Sequence, residues 1–290
     1  MAKIAVVTDT NSGITKETGE KLGIYVLPMP FTIDDRTYYE GVDLSVEQFF
    51  SFMEAGADIK TSQPEPGRIM DLWDGLLKAY DEIVHIPMSS GLSSSCETAA
   101  MLADDYDGRV QVVNNQRISV TQKQSAIDAV YLAENGKSAA QIKEILEREK
   151  FQSSIYITLN TLYYLKKGGR ITPAAAALGT ILRIKPVLQI QGEKLDAFAK
   201  ARTMNQAKSI MLSSLKNDVE NRFGGIHDKD DVHICVAHTQ NDEAAEALVE
   251  ELKELFGVPE VLCDPLSLSV STHIGPGALA VACSKKIPLA

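Results

Sequence analysis

The apolar run Ile83 to Met88 stops at Ser89-Ser90-Gly91, and from Leu92 onward Cys96, Ala99, Ala100 and Ala103 fall at helical spacing. No other stretch constrains the fold as much. A short buried strand that ends in a glycine turn and feeds a helix is the repeating unit of an α/β sheet. Between the two lies Ser89-Ser90-Gly91-Leu92-Ser93-Ser94-Ser95. A helix whose first turn carries three hydroxyls leaves backbone N–H groups facing the strand's carboxyl end, a seat for a small anion. The same pattern also reads as a plain N-cap by one of the serines. What favours the anion seat is the number of other polar turns that the chain can bring to the same edge.

The rhythm recurs on both sides. Ile4 to Val7 reads as a strand that ends in Thr8-Asp9-Thr10-Asn11-Ser12-Gly13, followed by a short helix from Thr15 to Lys21. Ile24 to Ile33 holds Pro28 and Pro30 and so reads as an edge strand or an extended crossing segment. Ser45 with Gln48, and Ser138 with Gln141, make capping boxes for helices from Val46 to Ala55 and from there to about Lys150. The prolines of Thr61-Ser62-Gln63-Pro64-Glu65-Pro66-Gly67 bar regular structure, which places Thr61, Ser62 and Gln63 on a stiff, extended loop before a helix to about Ala79. Val110 to Val113 is another strand and Ser119 to Glu134 another helix. Strands alternating with helices imply right-handed crossovers and a mostly parallel sheet, whose ligands sit at the carboxyl edge of the strands.

From Ser153 the pattern changes. Ile155 to Leu159 is a strand, Leu162 to Lys166 a helical turn, and Thr172-Pro173 opens a helix of small residues. Pro186 to Ile190 and Leu195 to Ala199, joined around Gly192, read as a hairpin. A long helix from Thr203 to Arg222, a strand from Val232 to Ala237, a helix from Asp242 to Phe256 and a short strand at Val261-Leu262 follow. Ser271-Thr272-His273-Ile274-Gly275-Pro276-Gly277-Ala278 reads as a tight loop with a histidine held just before it. The expectation is two α/β domains, 1–152 with a mostly parallel sheet and flanking helices, and 153–290 with a mixed sheet.

A formal charge of −10 over 290 residues argues against nucleic acid or an anionic membrane as the main partner. Cys96, Cys235, Cys263 and Cys283 are widely spaced among apolar or small residues, which suits reduced cytosolic thiols. The N-terminus runs straight into a strand, and no apolar run approaches about 18 residues. The reading is a soluble, cytoplasmic protein.

Several chemistries fail on the residues. Gly91-Leu92-Ser93-Ser94-Ser95 lacks the last glycine of a nucleophile elbow, though Ser93, His273 and an aspartate could still form a triad. There is no P-loop and no Gly-x-Gly-x-x-Gly turn. In His233-Ile234-Cys235-Val236-Ala237-His238, strand alternation sets His238 on the face opposite His233 and Cys235, so no metal and no cofactor is expected. Lys166-Lys167-Gly168-Gly169-Arg170 is either a solvated basic loop or a cradle for a phosphate or an acidic partner. His85 alternates within an apolar strand and reads as a core histidine; His227 reads as surface.

Five segments together resemble the DegV family of bacterial lipid-binding proteins, which includes the fatty-acid-binding subunits of the fatty acid kinase system. They are Val7-Thr8-Asp9-Thr10, Thr61-Ser62-Gln63-Pro64, Ser89-Ser90-Gly91-Leu92-Ser93, Leu165-Lys166-Lys167-Gly168-Gly169-Arg170-Ile171 and His273-Ile274-Gly275-Pro276-Gly277. The resemblance implies a long-chain fatty acid buried between or within two α/β domains, its carboxylate at the interface. It implies that Thr61 and Ser93 bind that carboxylate, with Ser62 adjacent and His273 completing the polar network, and that Arg170 serves docking or phosphoryl transfer with a separate kinase subunit. Two residues depart from the pattern. Glu65 stands where many members have serine and is expected to point outward, and Ser94 stands where many have glycine.

The implied function is a carrier, not a catalyst. It would take a fatty acid from a membrane leaflet by transient contact, present the carboxylate to the kinase for acyl-phosphate formation, and carry no nucleotide site of its own. Ala174 to Leu178 and Ile181-Leu182 are candidate walls for the alkyl chain or ordinary core. The alternative class is an enzyme, a serine-dependent acyl hydrolase using Ser93 and His273 or a phosphotransferase.

Overall fold

The computed structural model describes residues 2–178, 184–228 and 231–289. It divides into two compact units. The first runs to Lys150 and takes back Ser267–Thr272 and the chain from Ile287; the second is Phe151–Leu266 with His273–Lys286. The division therefore falls two residues before the expected 152/153, and the second unit is not the unbroken 153–290 of the sequence reading. The returning segments follow from their contacts. Ser267 and Leu268 hydrogen-bond to Asn11 and Glu40, and Ile287 joins an apolar cluster of the first unit.

The first unit begins β1 (Ile4–Asp9), α1 (Lys16–Leu22), β2 (Ile24–Leu27), β3 (Pro30–Ile33), β4 (Arg36–Tyr39), α2 (Val46–Glu54), β5 (Ile59–Thr61) and α3 (Pro66–Leu76). It continues β6 (Glu82–Ile86), α4 (Ser95–Ala103), β7 (Val110–Val112), α5 (Ser119–Glu134) and α6 (Ala139–Arg148). Its main sheet is parallel throughout, in the order β2-β1-β6-β7. Alternation along β1 and β6 supplies both faces. Val6, Val84 and Ile86 pack with Ala126, Leu132, Ile142 and Leu146 of α5 and α6, while Ala5, Val7 and Ile83 pack with Trp73 of α3 and Ala99 of α4. His85 is a core residue, 2% exposed, its ring edge-on to Trp73 with centroids 5.5 Å apart.

The Ile24 to Ile33 stretch is not one strand. Proline-bounded residues break it into β2, the edge of the parallel sheet, and β3, the centre of a separate antiparallel sheet in the order β4-β3-β5. Phe31 of β3 meets Phe49 of α2 edge-on, centroids 5.5 Å apart. Both capping boxes form: Ser45 with Gln48 and Ser138 with Gln141 each exchange side chain and backbone hydrogen bonds.

The second unit holds β8 (Ser153–Thr158), α7 (Tyr163–Gly168), α8 (Pro173–Leu178), β9 (Lys185–Ile190), β10 (Asp196–Ala201), α9 (Met204–Asn217), β11 (Val232–His238), α10 (Asp242–Phe256), β12 (Leu262–Pro265) and β13 (Leu279–Lys285). Between β12 and β13 lies α11 (Leu268–Ile274), whose residues to Thr272 belong to the first unit. The sheet order is β10-β9-β8-β13-β11-β12, antiparallel except for β11 and β12. It is the mixed sheet expected, with the β9-β10 hairpin at one edge. Val187, Tyr156, Val281 and Val236 on one face are covered by Met211 and Leu215 of α9 and Leu248 and Leu252 of α10. The helix expected from Thr203 to Arg222 changes pitch at Asp218. Asp218–Arg222 is a π turn closed by Phe223 N–H to Asp218 O, with Asp218 accepting from Tyr156 Oη at 2.7 Å and pairing with Arg222 at 2.8 Å.

Candidate ligand-binding site

Strands β1 and β6 lie side by side and parallel, so the turns that follow them leave the same edge of the sheet. Asp9, at the end of β1, joins the two. One carboxylate oxygen accepts from Met88 N at 2.9 Å. The other accepts from Asn11 N and Nδ2, both at 2.9 Å, and from Gln122 Nε2 at 3.2 Å. Gln122 of α5 also reaches Thr8 Oγ1 and Ile86 O. Asp9 is 1% exposed, and burial raises its pKa although each of these bonds pulls it down.

The turn after β6 differs from the simple anion seat. Its backbone coils on itself: Leu92 N and Ser93 N both donate to Ser89 O, Gly91 N to Ser89 Oγ, and Ser95 N to Ser93 Oγ at 3.2 Å. Four N–H groups that could have faced a ligand are thereby engaged, and α4 begins at Ser95 instead of Leu92. The consequence for Ser93 is specific. Its oxygen accepts from the Ser95 N–H at the start of α4, and a hydroxyl that accepts there can still donate its own hydrogen. Ser94 has φ −71°, a conformation open to any residue, so serine there needs none of glycine's freedom.

Thr61 ends β5, half-buried and in register with Phe31; Ser62 is exposed and its N–H donates to Pro30 O at 3.3 Å. Thr61 is thus a strand residue, not part of the expected loop, which starts at Ser62. The loop is tied to α4, because Gln63 Oε1 accepts from Thr98 Oγ1 at 3.1 Å. In the first unit the segments carrying Thr61 and Ser93 are therefore linked through one side-chain bond. Glu65 points outward as expected, bonded to Tyr39 Oη at 3.0 Å and paired with Arg68 at 3.0 Å, both acid and partner largely exposed.

In the second unit His273 and Arg170 come together. The His273 ring lies so close to Gly168 that a Cβ there would sit 2.1 Å from Nδ1. Burial, then the positive field of Arg170, lowers the His273 pKa to about 4, so the imidazole is neutral at neutral pH. Arg170 Nη1 donates to Gly168 O. Gly275 (φ +78°) turns the chain beyond α11, where a Cβ would meet the Tyr164 ring at 2.3 Å. A histidine that binds a proton only near pH 4 is a weak general base at neutral pH, which disfavours a serine hydrolase built on it. Burial likewise holds Cys96 at about 12, so it is no nucleophile. Among the described residues no group of three or more His, Cys, Asp or Glu could hold a metal ion. Of the candidate alkyl-chain walls, Ala175 is buried; Ile181-Leu182 and the side chain of Leu178 lie outside the described residues.

Two groups escaped the sequence reading. Gln122 sits inside a helix and carries no local signal. Glu40 lies past β4, yet Thr10 Oγ1 donates to its Oε2 at 2.9 Å and Leu268 N to its Oε1.

A parallel sheet covered on both faces, with polar turns at its carboxyl edge, and a second unit built on a mixed sheet define a two-unit α/β protein. The chain belongs to the DegV family: a family model described as "Uncharacterised protein, DegV family" matches residues 3–286. A DegV domain-containing protein of Staphylococcus aureus is 30% identical over 286 residues, 99% of this chain and 100% of that protein. The crystal structure of DegV from Bacillus subtilis, described as a fatty acid binding protein, superposes with a TM-score of 0.88 at 29% identity, covering 99% of this chain and all of that one. A DegV family protein from Thermus thermophilus, described by its fatty acid binding, gives a TM-score of 0.88 at 27% identity over 98% of this chain and all of that one. No described helix is long and apolar enough to cross a membrane.

Proposed function

We propose that this protein binds a long-chain fatty acid, with the carboxylate held by the hydroxyls of Thr61 and Ser93 and by His273, Ser62 lying beside Thr61. The observation that carries the reading is the end-to-end likeness to a fatty-acid-binding DegV protein in a chain that keeps hydroxyls at both positions. Leaving a carboxylate unpaired away from water costs several kcal/mol or more, and O–H donors offset that cost. The alkyl chain contributes most of the affinity, at about 0.8 kcal/mol per buried methylene. Neutral donors leave the bound acid able to react, whereas a fixed lysine or arginine would hold its charge. We therefore assign the chain the role of a carrier in the cytoplasm that takes the acid from a membrane leaflet and presents it to a separate kinase for acyl-phosphate formation, with Arg170 serving the kinase step. It needs neither a nucleotide site nor a cofactor of its own.

Palmitate binding tests the site. Thr61→Ala and Ser93→Ala should each weaken retention by roughly tenfold or more, since a hydrogen bond to a charged group is worth about 1.5–3 kcal/mol. Unchanged retention in both would remove them from the site. Arg170→Ala should retain palmitate and slow its kinase-dependent phosphorylation; equal loss of both would contradict the division of roles. Turnover of an ester substrate that disappears in Ser93→Ala would favour the hydrolase instead.

A further inference from the structure

Helix α11 is seven residues long and ends in His273 and Ile274. So short a helix has little internal hydrogen bonding, and its placement depends on what satisfies its first N–H groups. Local help comes from Ser267, whose Oγ accepts from Val270 N at 3.2 Å and whose carbonyl accepts from Ser271 N at 2.8 Å. The N–H of Leu268 is satisfied instead from far away in sequence, by the carboxylate of Glu40, and the Ser269 N–H lies near enough to that acid to lower its pKa.

Glu40 is itself held in place. Its N–H donates to Met29 O at 3.1 Å, and its Oε2 accepts from Thr10 Oγ1, which in turn accepts from Met29 N at 3.1 Å. Ser267 Oγ reaches Asn11 Oδ1 at 3.5 Å. The turn after β1 thus works in two directions. Asp9 fixes Met88, where the turn carrying Ser93 begins, and Thr10 and Asn11 fix the acid and the serine that start α11. We propose that Glu40 is a positioning residue for fatty acid binding: it anchors the first turn of α11, the helix whose last turn carries His273. This rests on the fatty-acid reading above.

The anchor is an acid at a helix start, where negative charge is favoured. Glu40 as a residue keeps some solvent access, but its carboxylate lies deep enough that burial raises its pKa to about 7. The hydrogen bonds from Leu268, Thr10 and Ser269 pull that value down, and the charge of Asp9 pushes it up. Below about pH 7 the protonated acid holds the Leu268 N–H less firmly; above it the charged form holds it fully.

The test has two arms. In the wild-type protein, the backbone amide resonances of Leu268 and Ser269 should follow a single titration near pH 7, and in Glu40→Gln that titration should vanish. Palmitate retention should fall about tenfold in Glu40→Ala, in line with the loss of a charged cap bond, and its pH dependence between 6 and 8 should flatten in Glu40→Gln. Leu268 and Ser269 amide resonances that are the same in Glu40→Gln as in the wild type at every pH across the carboxylate range and up to pH 8 overturn the proposal whatever the ligand is. So does wild-type retention in both variants. A wild-type protein that takes up no palmitate while its amides still titrate through Glu40 would instead overturn the fatty-acid reading and leave the anchor standing.

Discussion

Gly168 shows at the scale of one residue why glycine stands in the Lys-Lys-Gly-Gly-Arg stretch: its missing side chain makes room for the His273 ring, 2.1 Å from where a Cβ would be. Gly168→Ala should force that ring aside. The expected result is palmitate retention about tenfold weaker, the loss of roughly one hydrogen bond to a charged acid, with little change in melting temperature; full retention would show that the His273 ring position is immaterial. His85 supports a second prediction. Neither of its ring nitrogens has a hydrogen-bond partner, and burial lowers its pKa from 6.5 to about 3. Between those values the unfolded chain takes up a proton that the folded one refuses, so His85 subtracts stability as pH falls from about 6.5 toward 3. Glu40 and Asp128, raised to about 7 and about 6, act in the opposite sense: the fold binds their protons more readily, so their part of the stability fades as pH rises through those values. Comparing His85→Phe with wild type cancels the carboxylates. The difference in urea stability should move in favour of the variant by up to about 1.4 kcal/mol per pH unit below 6.5; a difference that is constant with pH would contradict the shift. At this scale the sequence carried residue types but not their partners. Asp9, Thr10, Ser93 and His273 stood out as polar groups in turns, whereas the side chains of Gln122 and Glu40 acquire meaning only from residues 30 to 228 positions away.

At the scale of elements, local chemistry reads well wherever the chain supplies its own start and stop. Ser138 with Gln141 announces α6, and Ile142, Ile145 and Leu146 on its inner face bury against the sheet. Ser138→Ala should cost about 1 kcal/mol in urea unfolding, the usual worth of an N-cap; no loss would mean that tertiary packing alone fixes the helix start. α5 spans the expected Ser119 to Glu134 although no side chain caps its start at Ile118. The elements that went unread are those made by tertiary context. β4 and β5 are short and pair only with β3, and β13, central in the second sheet, follows a glycine-rich turn that hides its start. α11 reads as part of a loop because its first turn is satisfied by Glu40 and not by a local box alone.

At the scale of the molecule, alternation of strand and helix patterns revealed two α/β units and the class of each sheet, since period and order of elements decide both. Contiguity could not be read: Ser267–Thr272 and the last residues return to the first unit through contacts with Glu40, Asn11 and the α5-α6 cluster. On the proposed reading the chain carries a single long-chain fatty acid. Native mass spectrometry of the purified protein tests it most directly. The prediction is a mass above that of the bare chain by one fatty acid, lost on organic extraction and restored by added palmitate. A bare mass that palmitate fails to shift would contradict it.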